Sequence, residues 1–171
     1  LRSSNQSFQI RIACMPVLSE IFLPNIIADF AKEHKDAQFY LKAQSSERVR
    51  ESIASQQFDI GFAENPKNSE LYLTKDFSLE TMIALPDGHP LAKHQTLTPK
   101  NLDGVPICTF LPEHYLTIKL RAAFESVDAK LNIPFFLQNS SAQYAIVENG
   151  HAAGFMSSLS VWLYQQNWEI G

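Results

Sequence analysis

Residues 8–33 change from a two-residue to a helical spacing of apolar side chains. Phe8, Ile10 and Ile12 alternate with polar or small residues, which predicts a β-strand. After a short turn, a helical stripe predicts an amphipathic helix, and its members are Ile21, Phe22, Ile26, Ile27 and Phe30. A strand that leads directly into a helix is the unit of an open α/β sheet. Ligands of such sheets bind beyond the carboxyl ends of the strands.

The same unit recurs twice before residue 64. Residues 38–43 and 58–63 are predicted strands, and the helix between them opens at Ser45 or Ser46, either of which can cap its free N–H groups. Because right-handed crossovers join consecutive strands of this kind, the strands are expected to form a parallel sheet.

A second cycle of elements follows a turn-rich segment at residues 86–90. Strands are predicted over residues 71–77, 80–85, 105–110, 133–137 and 152–156, and helices over residues 98–102, 113–127, 140–149 and 159–165. Ser140 and Gln143 have the spacing of a capping box, and Gly150 predicts the end of the helix that they start.

The two halves share one order of elements, which predicts an α/β fold of two Rossmann-like lobes with a ligand cleft between them. We expect residues 1–7 to be the end of a linker, because they are polar and precede the first strand. Residues 8–84 are then lobe I and residues 85–171 lobe II, with the crossover between lobes near residues 80–90.

Composition restricts the function classes. The 171 residues are 45% hydrophobic and 19% charged, as is usual for a globular protein with a sizeable core. A formal charge of −4 argues against direct binding of a nucleic-acid backbone. The sequence shows neither a membrane-spanning run nor a leader peptide. Its two cysteines do not make a disulfide framework, so we expect a cytoplasmic location.

Five motifs occur in a fixed order between residues 8 and 165. They are Ile10-Arg-Ile-Ala13 with a helix that holds Leu23-Pro24, Gln56-Gln-Phe-Asp-Ile-Gly-Phe62, Leu85-Pro-Asp-Gly-His-Pro-Leu-Ala92, Leu97-Thr-Pro-Lys-Asn-Leu-Asp-Gly104, and Val147-Glu-Asn-Gly-His-Ala-Ala-Gly-Phe155. This order resembles the effector-binding domain of LysR-type transcriptional regulators, and the His-Pro-Leu turn is its most specific part.

The resemblance implies the periplasmic-binding-protein type 2 fold, a small-molecule effector, no cofactor and no catalysis. It also implies homodimers or homotetramers, and DNA binding only through an N-terminal winged helix-turn-helix that this sequence does not contain. In the family a return strand and a last helix complete the first lobe, and we expect them beyond Gly171. Gln44 stands where the family usually has glycine. Ala13-Cys-Met-Pro16 is most similar to regulators that respond to amino acids or opines.

The resemblance also places the effector against strand ends and helix N-termini that line the cleft. The implied contacts in lobe I are Met15, Pro16, Val17, Ser45, Ser46 and Glu64. Those in lobe II are Thr109, Phe110, Ser140, Ser141, and Phe155 with Met156, and His114 joins them from the start of its helix.

The chemistry of these residues suits a carboxylate-bearing effector. Helix N-termini attract anions, and the four serines offer hydroxyls, although each serine can also cap its own helix. Glu64 can pair with a ligand ammonium, as in an amino-acid-like effector, or it can be a solvated loop acid. His114 can equally be a surface residue of a first helical turn.

Metal and redox sites are not indicated. The histidines and cysteines lack the spacing of a metal site. Cys14 and Cys108 have no basic neighbour in sequence to lower a thiol pKa, so we interpret them as small buried residues rather than a redox switch.

Two other functions stay open. A free-standing solute-binding protein would share the fold, and the missing leader counts against it, although a mature form also lacks one. An enzyme would need groups such as Glu64, His114 and Cys108 to converge within hydrogen-bond distance. The sequence holds no nucleophile elbow, P-loop or dinucleotide fingerprint in support of that.

Overall fold

The computed structural model describes residues 8–64 and 69–168. The chain divides into two compact units, Leu1–Phe77 and Ser78–Gly171. Both are built from alternating strands and helices, so the expected α/β class is confirmed. Of the sequence-based assignments, residues 1–7 lie outside the described part of the chain, and residues 78–84 belong to the second unit rather than to lobe I.

The first unit has a parallel sheet. Its elements are β1 (Phe8–Cys14), α1 (Pro16–Glu20), α2 (Phe22–Glu33), β2 (Ala37–Ala43), α3 (Ser46–Ala54) and β3 (Ile60–Phe62). The strands lie in the order β2-β1-β3, and both pairings of β1 are parallel, as predicted. The carboxyl ends of the three strands therefore meet at one edge of the sheet.

An ion pair fixes the start of β3 against β1. The Asp59 amide donates to the Arg11 carbonyl (2.9 Å), and the Arg11 amide donates to Asp59 Oδ2 (2.8 Å). The Arg11 guanidinium donates to both oxygens of the same carboxylate, at 3.2 and 2.8 Å. These hydrogen bonds hold the pKa of Asp59 below its usual value of 3.8. The pairing sets the register of β3 on β1 and so the position of the residues that follow Phe62.

The helix predicted from residue 19 to residue 33 is interrupted. Ile21 leaves the helical conformation (φ −134°, ψ −45°), which separates α1 from α2. Pro24 explains the break, because proline has no N–H to donate to the carbonyl four residues earlier and its ring clashes with that carbonyl. In the first turn of a new helix the same residue is tolerated.

The second unit has a mixed sheet. Its elements are β4 (Thr81–Ala84), a 3₁₀ helix (Pro90–Lys93), β5 (Pro106–Phe110), α4 (Tyr115–Glu125), β6 (Asn132–Leu137), α5 (Ser140–Glu148), β7 (Ala153–Ser157) and α6 (Ser158–Trp168). The strand order is β4-β7-β5-β6, with β4 antiparallel to β7 and the other pairs parallel. The carboxyl ends of β5, β6 and β7 therefore share an edge.

The core of the second unit lies on both faces of β5. Ile107 packs with Leu120 and Phe124, which lie four positions apart on one face of α4. Cys108, the next residue, packs on the opposite face with Val147 of α5. This alternation fixes α4 and α5 on opposite faces of the sheet.

Two predicted elements are not formed. Residues 71–77 adopt no strand, and all of them except the half-buried Tyr72 are exposed, Leu73 fully so. Alternating apolar residues predict a strand only where a partner strand pairs with them, and the described chain offers these residues none. Residues 98–102 form turns instead of a helix. The Leu102 amide bonds to the carbonyls of both Thr98 and Pro99, and so short a segment does not extend into a regular helix.

Packing of β3 on α3 depends on glycine at position 61. A Cβ atom added to Gly61 would lie 2.6 Å from Ile53 Cγ1 and 3.0 Å from Val49 Cγ1. We predict that Gly61→Ala lowers the free energy of unfolding by about 1–3 kcal/mol through overpacking. Urea unfolding measures the change, and the cost should shrink in an Ile53→Ala background, where the clashing atom is absent. An equal cost in both backgrounds would contradict this explanation.

Candidate functional site

The carboxyl edge of the first sheet brings together residues from three strand ends. The Met15 amide donates to the Phe62 carbonyl (3.0 Å), which joins the end of β1 to the end of β3. The Glu64 amide donates to the Ser46 hydroxyl (2.9 Å), which joins β3 to the start of α3. Met15, Ser46 and Glu64 therefore belong to one small region of the first unit.

The two serines at the start of α3 have different partners. Ser45 is the N-cap, and its hydroxyl accepts from the Arg48 amide at 3.3 Å. Ser46 begins the helix and holds Glu64 instead. Gln44 donates from its side-chain amide to the Ser52 hydroxyl of α3 (2.9 Å). Ser45 is exposed, so it lies at the surface of this edge although it also caps α3.

Glu64 is held by its backbone and half-buried. Arg50 donates from its guanidinium to the Glu64 carbonyl (2.9 Å), while Ser46 accepts from its amide. Burial raises the pKa of the Glu64 carboxyl above its usual value of 4.5, because the charged form loses water.

Residues 15–17 form the connection from β1 to α1. Met15 is the N-cap of α1 and Pro16 occupies the first helical position, where its missing N–H costs nothing. Amide donors toward this edge therefore start at Val17, which is half-buried like Met15. Pro16 is exposed and can contribute apolar contact only.

The start of α5 differs from the predicted capping box. Asn139 is the N-cap, and its Oδ1 accepts from the Ala142 amide (3.0 Å) and the Ser141 hydroxyl (2.8 Å). The prediction that Ser140 caps this helix with Gln143 is therefore wrong. Asparagine is at least as good a cap as serine, and the extended backbone of Asn139 leaves Ser140 inside the first turn.

Ser140 faces the interior of the unit. It is only 4% exposed, and its hydroxyl shares a hydrogen bond with the Tyr164 hydroxyl at 3.3 Å. Tyr164 comes from α6 and stacks on Tyr144 of α5, with ring centroids 4.7 Å apart. Ser141 is exposed. The sequence gives no local signal for the Tyr164 contact, since 24 positions separate it from Ser140.

Three of the residues named for lobe II serve packing. Thr109 is fully buried, and its hydroxyl pairs with that of Thr117 (3.2 Å) rather than facing the edge. Met156 is fully buried as well. Phe155 is half-buried against the core of Ile107 and its neighbours.

Phe110 and His114 lie together at the end of β5. Their rings stack with centroids 4.1 Å apart and planes 19° apart. His114 is the N-cap of α4, and its Nδ1 accepts from the Leu116 amide (3.2 Å), so the neutral ring carries its proton on Nε2. Burial lowers the pKa of His114, and Glu113 opposes this shift. His114 is therefore a neutral cap rather than a solvated surface residue.

Other chemistry finds little support. In the part of the chain that the structure describes, no three His, Cys, Asp or Glu side chains are grouped to hold a metal ion. Cys14 and Cys108 are buried, and burial raises the pKa of each thiol to about 11. The Cys108 thiol donates to the Gln143 carbonyl (3.6 Å), so it is no candidate nucleophile at neutral pH. Within residues 8–64 and 69–168, no helix has the length and apolarity needed to cross a membrane.

Comparisons with known proteins agree on one family. Residues 4–169 match the family described as the LysR substrate binding domain. The chain is 29% identical over 148 residues to the transcriptional activator protein LysR of Escherichia coli, covering 85% of this chain and 43% of that protein. It is 30% identical over 159 residues to the octopine catabolism/uptake operon regulatory protein OccR of Rhizobium meliloti, covering 89% of this chain and 53% of OccR. The chain thus spans about half the length of these relatives.

Solved structures agree with the sequence comparison. The effector-binding domain of BenM with its effector benzoate superimposes with a TM-score of 0.70 at 16% identity, covering 90% of this chain and 71% of that one. At this identity the likeness establishes the fold, which is the periplasmic-binding-protein type 2 fold expected from the sequence. The relatives are transcription regulators rather than enzymes. On these grounds the chain belongs to the LysR substrate binding domain family.

Proposed function

We propose that this chain is the effector-sensing part of a LysR-type DNA-binding transcription regulator. Its effector is a small carboxylate-bearing molecule of amino-acid or opine type. The observation that carries the proposal is the junction of Met15, Ser46 and Glu64, where three strand ends meet around one half-buried carboxylate. The same geometry fits a free-standing solute-binding protein, but the similarity to LysR and OccR favours the regulator.

A carboxylate is supported by two helices, each of which begins at the carboxyl edge of its own sheet. α3 and α5 each have nine residues and start directly after β2 and β6. Their side-chain caps satisfy one amide each, at Arg48 and Ala142. Other first-turn N–H groups and the positive end of each helix dipole remain to attract an anion.

An ammonium group on the effector is supported by Glu64. Glu64 is an acidic side chain just after β3, and a ligand ammonium that reaches it forms a stronger ion pair in this half-buried position than it would in bulk water. OccR, whose name refers to octopine, provides a relative with an opine-linked role.

Regulation follows from differential binding. An effector that prefers one conformation of this domain shifts its population and so biases whatever is attached to it. We propose that the attached part is an N-terminal winged helix-turn-helix and that the regulator works as a homodimer or homotetramer in the cytoplasm. The chain itself carries a formal charge of −4, so the DNA contacts are assigned to that other part.

Thermal shift tests the site. With L-amino acids and octopine as probes, a ligand at 100 times its Kd should add about 2.7 kcal/mol of stability. That corresponds to a rise in Tm of roughly 5–10 °C. Ser46→Ala should weaken binding about tenfold or more, because it releases Glu64 from α3. Ser55→Ala, at the exposed opposite end of α3, should bind like the wild type. Equal loss in both variants, or no response to any carboxylate, would contradict the site.

The pH dependence of binding tests the role of Glu64. An ammonium-bearing ligand binds the ionised carboxylate, so its affinity should fall as the pH drops through the Glu64 pKa, which burial places above 4.5. Calorimetric titration between pH 7.5 and pH 5 measures this effect. Glu64→Gln should bind such a ligand more weakly at pH 7 and with a flatter pH profile. An unchanged profile in the variant would assign the ammonium to another residue.

A further inference from the structure

A buried amide lies close to the N-terminus of α5. Gln143 has no exposed surface and occupies the buried face of the helix, one turn after Ser140. Neither Nε2 nor Oε1 of its side chain has a hydrogen-bond partner among the residues that the structure describes. Buried polar groups are nearly always hydrogen-bonded, because leaving one unpaired costs folding free energy. The unpaired carboxamide of Gln143 is thus available to a polar group that reaches it.

The orientation of α5 places this amide near the proposed effector site. The Cys108 thiol donates to the Gln143 carbonyl, which seats this part of the helix on β5. Helical side chains lean toward the N-terminus of their helix. The N-terminus of α5 follows the carboxyl end of β6, so the first turn, which holds Gln143, lies at the edge where β5 and β6 end. Ser140 and its partner Tyr164 line the same turn.

We propose that Gln143 is a specificity-determining residue of the effector site. Its Oε1 accepts from, and its Nε2 donates to, a head group with a donor and an acceptor side by side, as in the ammonium and carboxylate of an α-amino acid. This inference rests on the proposed function, because it takes the N-terminus of α5 as part of the effector site. It adds a residue and a chemical requirement that neither the motifs nor the relatives indicate.

The selectivity follows from pairing. A ligand without the α-ammonium leaves Oε1 unpaired, whereas an α-amino acid satisfies both atoms of the amide. Gln143 is fully buried, so a ligand that bonds to its amide has to displace the side chains that cover it.

The experiment compares matched ligands on matched variants of the protein as its gene encodes it. The probes are the tightest-binding α-amino acid among the L-amino acids, L-ornithine and octopine, and the same molecule without its α-ammonium, such as 5-aminovalerate for L-ornithine. Gln143→Met keeps the volume of the side chain and removes both polar atoms. Gln165→Met, at an exposed position of α6, is the control.

We expect Gln143→Met to raise the Tm of the ligand-free protein by about 2–4 °C, because an unpaired polar group is removed. The α-amino acid should bind Gln143→Met at least about tenfold more weakly, while its counterpart without the ammonium changes by less than about threefold. Gln165→Met should leave both affinities unchanged. If Gln143→Met does not fold, Gln143→Glu keeps the size, removes the donor and should lose the amino acid at pH 7.

Failure of this inference is distinct from failure of the proposed function. If the wild type binds the amino acid and Gln143→Met, or a folded Gln143→Glu, binds it equally well, water satisfies the amide and Gln143 has no part in specificity. That result overturns the inference and leaves the effector site intact. If the wild type binds neither probe of any pair, the proposed function fails, and this inference fails with it.

Discussion

The structure depends on parallel strand pairing. In a parallel sheet every strand ends at the same edge, and the helix that follows begins there. This holds for the three strands of the first unit and for β5, β6 and β7 of the second. Residues far apart in sequence therefore become neighbours, as Met15 and Phe62 do through their backbone hydrogen bond. The same geometry aligns amide donors and the positive ends of helix dipoles.

Local patterns were sufficient for most elements. The alternation at residues 8–13, the stripe of α4 and the glycine that follows α5 each depend on neighbours within a few positions. Capping is also local, but Ser45 and Ser46 are equally good candidates by type. They differ in their partners because the fold brings Glu64, 18 positions after Ser46, next to Ser46, while Ser45 caps α3.

What the sequence could not predict depends on tertiary partners or on competition between adjacent residues. Residues 71–77 have the composition of a strand but no pairing partner in the described chain. Asn139 takes the cap from Ser140, which then turns toward Tyr164. Thr109 is polar at a strand end, yet it faces α4 because alternation along β5 points it there. Gln143 fits a capping box by its spacing alone, and its burial without hydrogen-bond partners is a tertiary property that the spacing does not predict.

The backbone around Glu64 affects the entropy of binding. The ion pair of Arg11 with Asp59 fixes β3, and Ser46 and Arg50 then hold the amide and the carbonyl of Glu64. The peptide groups on either side of this carboxylate are thus ordered before any ligand arrives. For the proposed contact with an effector, the entropic cost is that of one side chain, about 0.5–1.5 kcal/mol. A flexible loop would also lose about 1–2 kcal/mol per residue of backbone freedom, and this ordered backbone does not pay that cost on binding.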